Sequence, residues 1–330
     1  MKYAAIRLVK RPAIHITPDL FQLVELEAAP LEEGEVLLRQ THMSLDPAMK
    51  GWMSADTGSY IPPVALGDVM RSSGLAEVVE SRNARLPVGT RVMGMIGWRE
   101  YAVSDGKGLN PIPNGIPAEA VLCVLGLPGI TAWQGLMELG EPRAGETLVV
   151  SGAAGSVGSI VGQLGKIVGM RVVGTAGRQA KRDWLVDELG FDAALDYKSS
   201  SLASELEAAT PEGIDLYFEN TGGPVQFAAY QRMNAHGRII VCGMIADYNA
   251  EKLPPGPNWI NIIRKRLTIR GFTMPDHWDK VPELSRKVGE YLLAGKLKYR
   301  AHTLHGLESA IEGINLLFTG GNEGKLMVEL

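Results

Sequence analysis

The residues most able to do chemistry begin with a glycine turn, Gly152-Ala153-Ala154-Gly155-Ser156-Val157-Gly158. It follows the β-type run Thr147–Val150 and opens a segment, residues 157–168, with small and apolar residues at helical spacing. Small residues permit a tight turn and let the backbone approach a pyrophosphate, and a glycine one turn into the helix lets it pack close to the sheet. The first N–H groups of the helix lack acceptors within it and face the phosphate charge. A glycine triplet alone is a loop in most sequences. Here a strand precedes it, a helix follows and a second strand lies at the right distance, so the context is that of a dinucleotide site.

The same stretch selects between dinucleotides. A site for NAD carries an acid about 20 residues on, at the end of the second strand, for the ribose 2′-hydroxyl. No Asp or Glu occurs from Thr147 to Arg182. The second strand instead ends Val173-Gly174-Thr175-Ala176-Gly177 and runs into Arg178, Lys181 and Arg182. A carboxylate there would repel a 2′-phosphate, whereas a cation pairs with it by charge-assisted hydrogen bonds. NADPH is therefore expected over NADH, with Arg182 read as a surface cation rather than a ligand.

The elements that position these residues alternate. From about Leu122 onward, apolar strands at Thr147–Val150, Arg171–Thr175 and residues 214–218 alternate with helical segments at 157–168 and 181–189. That is the texture of βαβ units on a parallel sheet covered on both faces. Pro254-Pro255-Gly256-Pro257 marks a loop. Residues 267–272 resume a strand, Val281–Leu293 reads as a helix, and 325–330 as a final strand. The first third has short apolar runs at 4–9, 35–43 and 75–79 between breakers such as Pro30, Gly34, Pro62, Pro63, Pro87 and Gly89. It reads as a barrel-like or sandwich-like β domain.

Composition bounds the rest. A chain of 330 residues exceeds one ordinary core, so two domains are expected. A net charge of −4 argues against a nucleic-acid partner. Two cysteines, Cys123 and Cys242, are too few for a disulfide framework or a structural zinc lobe. The apolar runs fall short of the roughly 20 residues of a membrane helix, and the start has no signal-peptide pattern, so a cytoplasmic protein is expected. His302 and His305, three apart, could share one helix face as metal ligands, but no cysteine or carboxylate cluster completes a site and surface residues are the better reading.

With these pieces in place, the chain resembles the zinc-independent medium-chain dehydrogenase/reductases. Among them it is most similar to the NADPH-dependent alkenal/one reductases, the curcumin reductase, prostaglandin reductase and leukotriene B4 dehydrogenase group. The resemblance spans essentially the whole chain. It is carried by Met43-Ser44-Leu45-Asp46-Pro47, Ile130-Thr131-Ala132-Trp133-Gln134-Gly135-Leu136, Ala144-Gly145-Glu146-Thr147, the glycine turn, Phe218-Glu219-Asn220-Thr221-Gly222-Gly223, the run from Cys242 to Asn249, and Gly324-Lys325-Leu326.

The resemblance implies an α/β fold: a Rossmann doubly wound parallel sheet plus a GroES-like β-barrel domain. Residues 1–122 and 299–330 would form the substrate domain and 123–298 the NADPH-binding domain. It implies that Gly155, Ser156, Val157 and Gly158 hold the pyrophosphate, and that Lys181 and Tyr197 contact the 2′-phosphate end. Asn220 would line the groove, and Cys242, Gly243, Met244 and Ile245 through Tyr248 would form the loop beside the nicotinamide. Phe272, Thr273 and Met274 would run along its far side, and Asn322 would return to the cofactor. Tyr60 and Trp133 are expected in the substrate pocket. Where the family commonly has tyrosines, this chain has Ala48 and Trp133, which alters pocket shape.

The implied reaction is reduction of the carbon–carbon double bond of an enone or enal. Hydride goes to the β-carbon, charge develops on the carbonyl oxygen and the α-carbon is then protonated, with no metal needed. Tyr248 is the candidate catalytic hydroxyl, with the cofactor's own ribose hydroxyl as the alternative. Quinone reduction, zinc alcohol dehydrogenation and a non-catalytic NADPH sensor are the competing functions. A homodimer joined at Rossmann sheet edges is also implied.

Overall fold

The computed structural model describes residues 1–330, which divide into two compact units. One comprises Met1–Leu122 with Ala301–Leu330, the other Cys123–Arg300.

The second unit is built on a six-stranded sheet in which every neighbouring pair is parallel. From one edge to the other its strands are Ala193–Leu195, Arg171–Thr175, Thr147–Val150, Ile214–Glu219, Met233–Val241 and Thr268–Gly271. The chain starts at a central strand, winds outward to one edge, then returns beside its start and winds to the other. This is the doubly wound topology, and its reversal lies between Thr147–Val150 and Ile214–Glu219. Thr147–Val150 is buried along its whole length, as a central parallel strand must be.

Val149, Val173, Tyr217 and Ile239 from four strands pack with Leu206, Val225 and Ala229 from helices into one core. The helix Ser156–Val168 lies so close to the sheet that a Cβ on Gly162 would stand 1.9 Å from the Phe191 ring. A Cβ on Gly165 would stand 2.6 Å from Leu148. The segment read as a helix at 181–189 is an α-helix over Gln179–Asp183 that widens to a π-helix over Trp184–Glu188. The last strand, Thr268–Gly271, is exposed throughout and has a free edge.

In the other unit, the strands run in the order Ala301–His305, Lys325–Glu329, Val36–Ser44, Ser73–Ser81, Arg91–Met95 and Asn110–Pro111. Tyr101–Ser104 also pairs with Val36–Ser44, and Lys2–Leu8 forms a hairpin-like pair with Phe21–Glu27. The tail is part of this sheet because Met327 registers with Ser44 across an antiparallel pair. That pairing buries Lys325, whose Nζ donates to Asp46 Oδ1 at 2.6 Å and to the Leu45 carbonyl at 2.9 Å. Two motifs from opposite ends of the chain thus close on one buried ion pair.

His302 and His305 lie on the strand Ala301–His305, not on a helix. Residues three apart on a strand face opposite sides, so the two do not share one face. The helical run Ala118–Leu139 has the length and hydropathy of a membrane span and is mostly buried within the protein.

Candidate active site

The glycine turn owes its shape to two backbone bonds. Gly155 N–H donates to the Gly152 carbonyl at 3.0 Å, and Ala153 N–H donates to the Thr175 carbonyl at 3.0 Å, which ties the turn to the end of the second strand. Gly152 sits at φ +58, where a Cβ is strained, and Gly155 is the extended residue before the helix Ser156–Val168. A Cβ on Gly158 would lie 2.5 Å from the Gly152 carbonyl oxygen and 2.8 Å from the Ala153 Cα. Only glycine lets the helix start against the turn this closely. The N–H groups of Ser156, Val157 and Gly158 have no acceptor within the helix, and no acid stands in its first turn. The partial positive end of a 13-residue helix is therefore uncompensated by any local carboxylate, as a pyrophosphate site requires. On this geometry the chain fits a dinucleotide.

At the end of Arg171–Thr175, a Cβ on Gly177 would come within 2.8 Å of the Tyr197 ring, so the aromatic lies directly on the glycine backbone. Arg178 is exposed at the head of the short helix Gln179–Asp183, and Lys181 is half-buried within it. Arg182, expected as a surface cation, is mostly buried. Its guanidinium donates to the Ala176 carbonyl at 3.1 Å and to Gln179 Oε1 at 2.7 Å, and pairs with Asp196 at 3.2 Å. The rim thus presents Arg178 and Lys181, with no acid on the strand end.

Across the reversal of the sheet, Ile214–Glu219 ends in a carboxylate to which the sequence pattern alone assigns no role. Glu219 is fully buried. Its Oε1 accepts from Ser151 Oγ at 2.6 Å, Thr221 N–H at 2.8 Å and Gly222 N–H at 2.9 Å, and its Oε2 accepts from the Tyr217 hydroxyl at 2.7 Å. Asn220 is fixed by the same serine. Its N–H donates to Ser151 Oγ at 2.8 Å and its side-chain Nδ2 to the Ser151 carbonyl at 2.7 Å. An acid that closes the run Leu216-Tyr217-Phe218 just before Asn-Thr-Gly-Gly was the available signal.

The loop after Met233–Val241 is zipped onto this turn. Cys242 and Gly243 N–H groups donate to the Glu219 carbonyl at 2.9 and 3.1 Å, Ile245 N–H to the Asn220 carbonyl at 3.2 Å, and Ala246 N–H to the Thr221 carbonyl at 2.9 Å. The Tyr248 hydroxyl accepts from Met244 N–H at 3.4 Å, and the residue is 38% exposed. The structure thus brings Asn220, Cys242, Gly243, Met244, Ile245 and Tyr248 together beside the glycine turn, where a Cβ on Gly152 would meet Thr221 at 3.1 Å. Burial, then the charge of Glu219, pushes the Cys242 thiol up to about 12. The same two causes, in the same order, raise the Asp247 carboxyl.

Phe272 lies next to Phe218, since a Cβ on Gly135 would meet both rings at 2.7 to 2.8 Å. Thr273 precedes the short helical stretch Met274–Lys280, and Met274 is buried. Trp133 is buried, with its indole N–H on Glu138 at 3.2 Å and its ring 5.8 Å from that of Tyr291. Tyr60, exposed, and Asn322, whose amide donates to the Gly324 carbonyl at 2.8 Å, belong to the other unit.

Residues 4–112 match the profile of the N-terminal domain of oxidoreductase, and residues 156–290 that of zinc-binding dehydrogenase. The chain is 40% identical to the NADPH-dependent curcumin reductase of Escherichia coli, covering 98% of this chain and 95% of that protein. The chain belongs to the medium-chain dehydrogenase/reductase family. It is also 38% identical to an NADP(+)-dependent 2-alkenal reductase of Nicotiana tabacum, over 91% of this chain and 88% of that protein. Its fold matches the crystal structure of CurA in complex with NADPH from Vibrio vulnificus with a TM-score of 0.93, at 38% identity, covering 99% of this chain and 98% of that one. Within this medium-chain dehydrogenase/reductase, no three His, Cys, Asp or Glu side chains converge where they could hold a metal ion.

Proposed function

We propose that the protein is an NADPH-dependent reductase of the carbon–carbon double bond of α,β-unsaturated ketones or aldehydes, working without zinc. The observation that carries the cofactor reading is the strand end Thr175-Ala176-Gly177, which holds no carboxylate and leads into Arg178 and Lys181 beside a sterically intact glycine turn. The relatives named for curcumin and 2-alkenals support the acceptor class. The donor set supports the absence of zinc, because cysteine is confined to Cys123 and Cys242 and no cluster of three ligands forms.

In this reading the unit Cys123–Arg300 binds the dinucleotide and the unit containing the N- and C-terminal segments serves the substrate. Ser156, Val157 and Gly158 hold the pyrophosphate through main-chain N–H groups, Lys181 and Tyr197 the 2′-phosphate end, and Asn220 with Cys242–Tyr248 the other half. Phe272, Thr273 and Met274 flank that half. NADPH, when bound, supplies the hydride for the β-carbon of the acceptor. The Tyr248 hydroxyl donates to the carbonyl oxygen where negative charge develops, while its ring offers the acceptor an apolar face.

The exposed strand Thr268–Gly271, with Trp259 and Ile263 more than 70% exposed nearby in sequence, supports a homodimer formed by continuing the sheet across two copies. The protein is expected to act in a reducing cytoplasm.

Turnover of NADPH with 2-alkenals and alkenones, set against 1,4-quinones, tests the assignment. Faster turnover on quinones would move it to quinone reduction, and tight cofactor binding with no turnover on any acceptor would make it a sensor. Tyr248→Phe should lose roughly a hundredfold in turnover on enones, the usual scale of a lost hydrogen bond to a developing oxyanion. Full activity on every enone would leave that role to the cofactor ribose hydroxyl.

A further inference from the structure

Glu219 is buried without a cationic partner. Its hydrogen-bond partners are Ser151 Oγ, the Tyr217 hydroxyl, the Thr221 hydroxyl at 3.4 Å, and the N–H groups of Thr221 and Gly222. A carboxylate removed from water and held only by neutral donors keeps most of its field for whatever charge stands nearby. Two neighbouring acids feel that field, since Cys242 and Asp247 are both held toward their neutral forms partly by Glu219.

Its place on the sheet says which charge that is. The glycine turn follows Thr147–Val150 and the cation rim follows Arg171–Thr175, so the adenosine end lies on that side of the reversal. The rest of a dinucleotide crosses to the ends of Ile214–Glu219 and Met233–Val241, which is where Glu219 and the loop hung from its carbonyl stand. The nicotinamide is the one part of the cofactor whose charge differs between the two redox states. It is neutral when reduced and cationic when oxidised.

We propose that Glu219 is a positioning residue that fixes the Asn220–Gly222 turn and the Cys242–Ala246 loop, and that its buried charge favours the oxidised, cationic nicotinamide over the reduced one. The proposal rests on the NADPH reading above. It gives the site a bias toward the oxidised cofactor that is independent of the acceptor.

Glu219→Gln separates charge from shape. The amide oxygen can keep the four donors now on Oε1, and the amide nitrogen can donate to Tyr217, whose hydroxyl turns from donor to acceptor. Calorimetric titration of full-length wild type and Glu219→Gln with NADP+, NADPH and 2′-phospho-ADP-ribose, which lacks the nicotinamide, is the test. The variant should lose roughly tenfold more affinity for NADP+ than for NADPH, a difference of about 1.4 kcal/mol, and should bind 2′-phospho-ADP-ribose as wild type does. Equal changes for NADP+ and NADPH, or none, with 2′-phospho-ADP-ribose still bound, overturn the proposal. Failure of wild type to bind any of the three would overturn the NADPH reading itself, and this with it. Should Glu219→Gln not fold, Tyr217→Phe serves. It keeps the charge and the four donors on Oε1, so its preference for NADP+ should be at least that of wild type, and a smaller one refutes the idea.

Discussion

Gly158→Ala puts one methyl group where the glycine turn and the helix Ser156–Val168 meet. The new Cβ would stand 2.5 Å from the Gly152 carbonyl oxygen and 2.8 Å from the Ala153 Cα, both backbone atoms that cannot rotate away. Carbon contacts settle near 3.5 Å or beyond, so helix and turn must separate by on the order of 1 Å. Overpacking of this kind costs about 1–3 kcal/mol. Part falls on stability and part on binding, because N–H groups displaced by that distance leave hydrogen-bond range of a phosphate. NADPH affinity should fall by roughly 10- to 100-fold, equivalent to about 1.4–2.8 kcal/mol, and the unliganded Tm by a few degrees. Calorimetry with NADPH and thermal unfolding of the unliganded protein read the two parts separately. Affinity within twofold of wild type at unchanged Tm would falsify the steric reasoning.

Two further predictions concern buried charge. Lys325→Met strands Asp46, whose remaining side-chain partner is Ser44, and should cost about 3–5 kcal/mol by denaturant unfolding. Lys325→Met with Asp46→Leu should recover most of that loss, and a double variant as unstable as the single would show that the pair is not the cause. For Cys242, burial and then Glu219 hold the thiol up to about 12, so the native protein at pH 8 should alkylate there far more slowly than the unfolded chain. Because the folded value is raised, its share of stability is intact below the ordinary thiol range and lost as pH climbs toward about 12. Peptide mapping that finds Cys242 alkylated at the ordinary rate in native protein would contradict this.

What could be read from the sequence was what local pattern dictates. Thr147–Val150, Arg171–Thr175 and Val281–Leu293 have the bounds expected of them, because continuous apolar runs and helical spacing carry their own ends. The C-terminal strand could be placed as a strand, but its partner could not, since Lys325 and Asp46 lie 279 residues apart. The histidines at 302 and 305 show why spacing alone could not settle the weaker of two readings. Spacing of three suggests a helix face only if the segment is helical, and pairing with Lys325–Glu329 makes it a strand. Arg182, expected as a surface cation, is instead mostly buried, and its pairing with Asp196 depends on where the Ala193–Leu195 strand brings the chain. At the candidate site, the resemblance grouped Asn220 with Cys242–Tyr248, while the backbone zipper between them and the role of Glu219 in it required coordinates. Ser151 and Glu219, separated by 68 residues, meet only once the two central strands are adjacent.

The central claim is that a strand end without acid, leading into Arg178 and Lys181, favours the cofactor bearing the extra phosphate. Parallel calorimetric titrations of the unliganded protein with NADPH and NADH, at one ionic strength, address it most directly. NADPH should bind at least roughly tenfold tighter, with the gap narrowing as salt is added. Equal affinities, or tighter binding of NADH, would contradict the account.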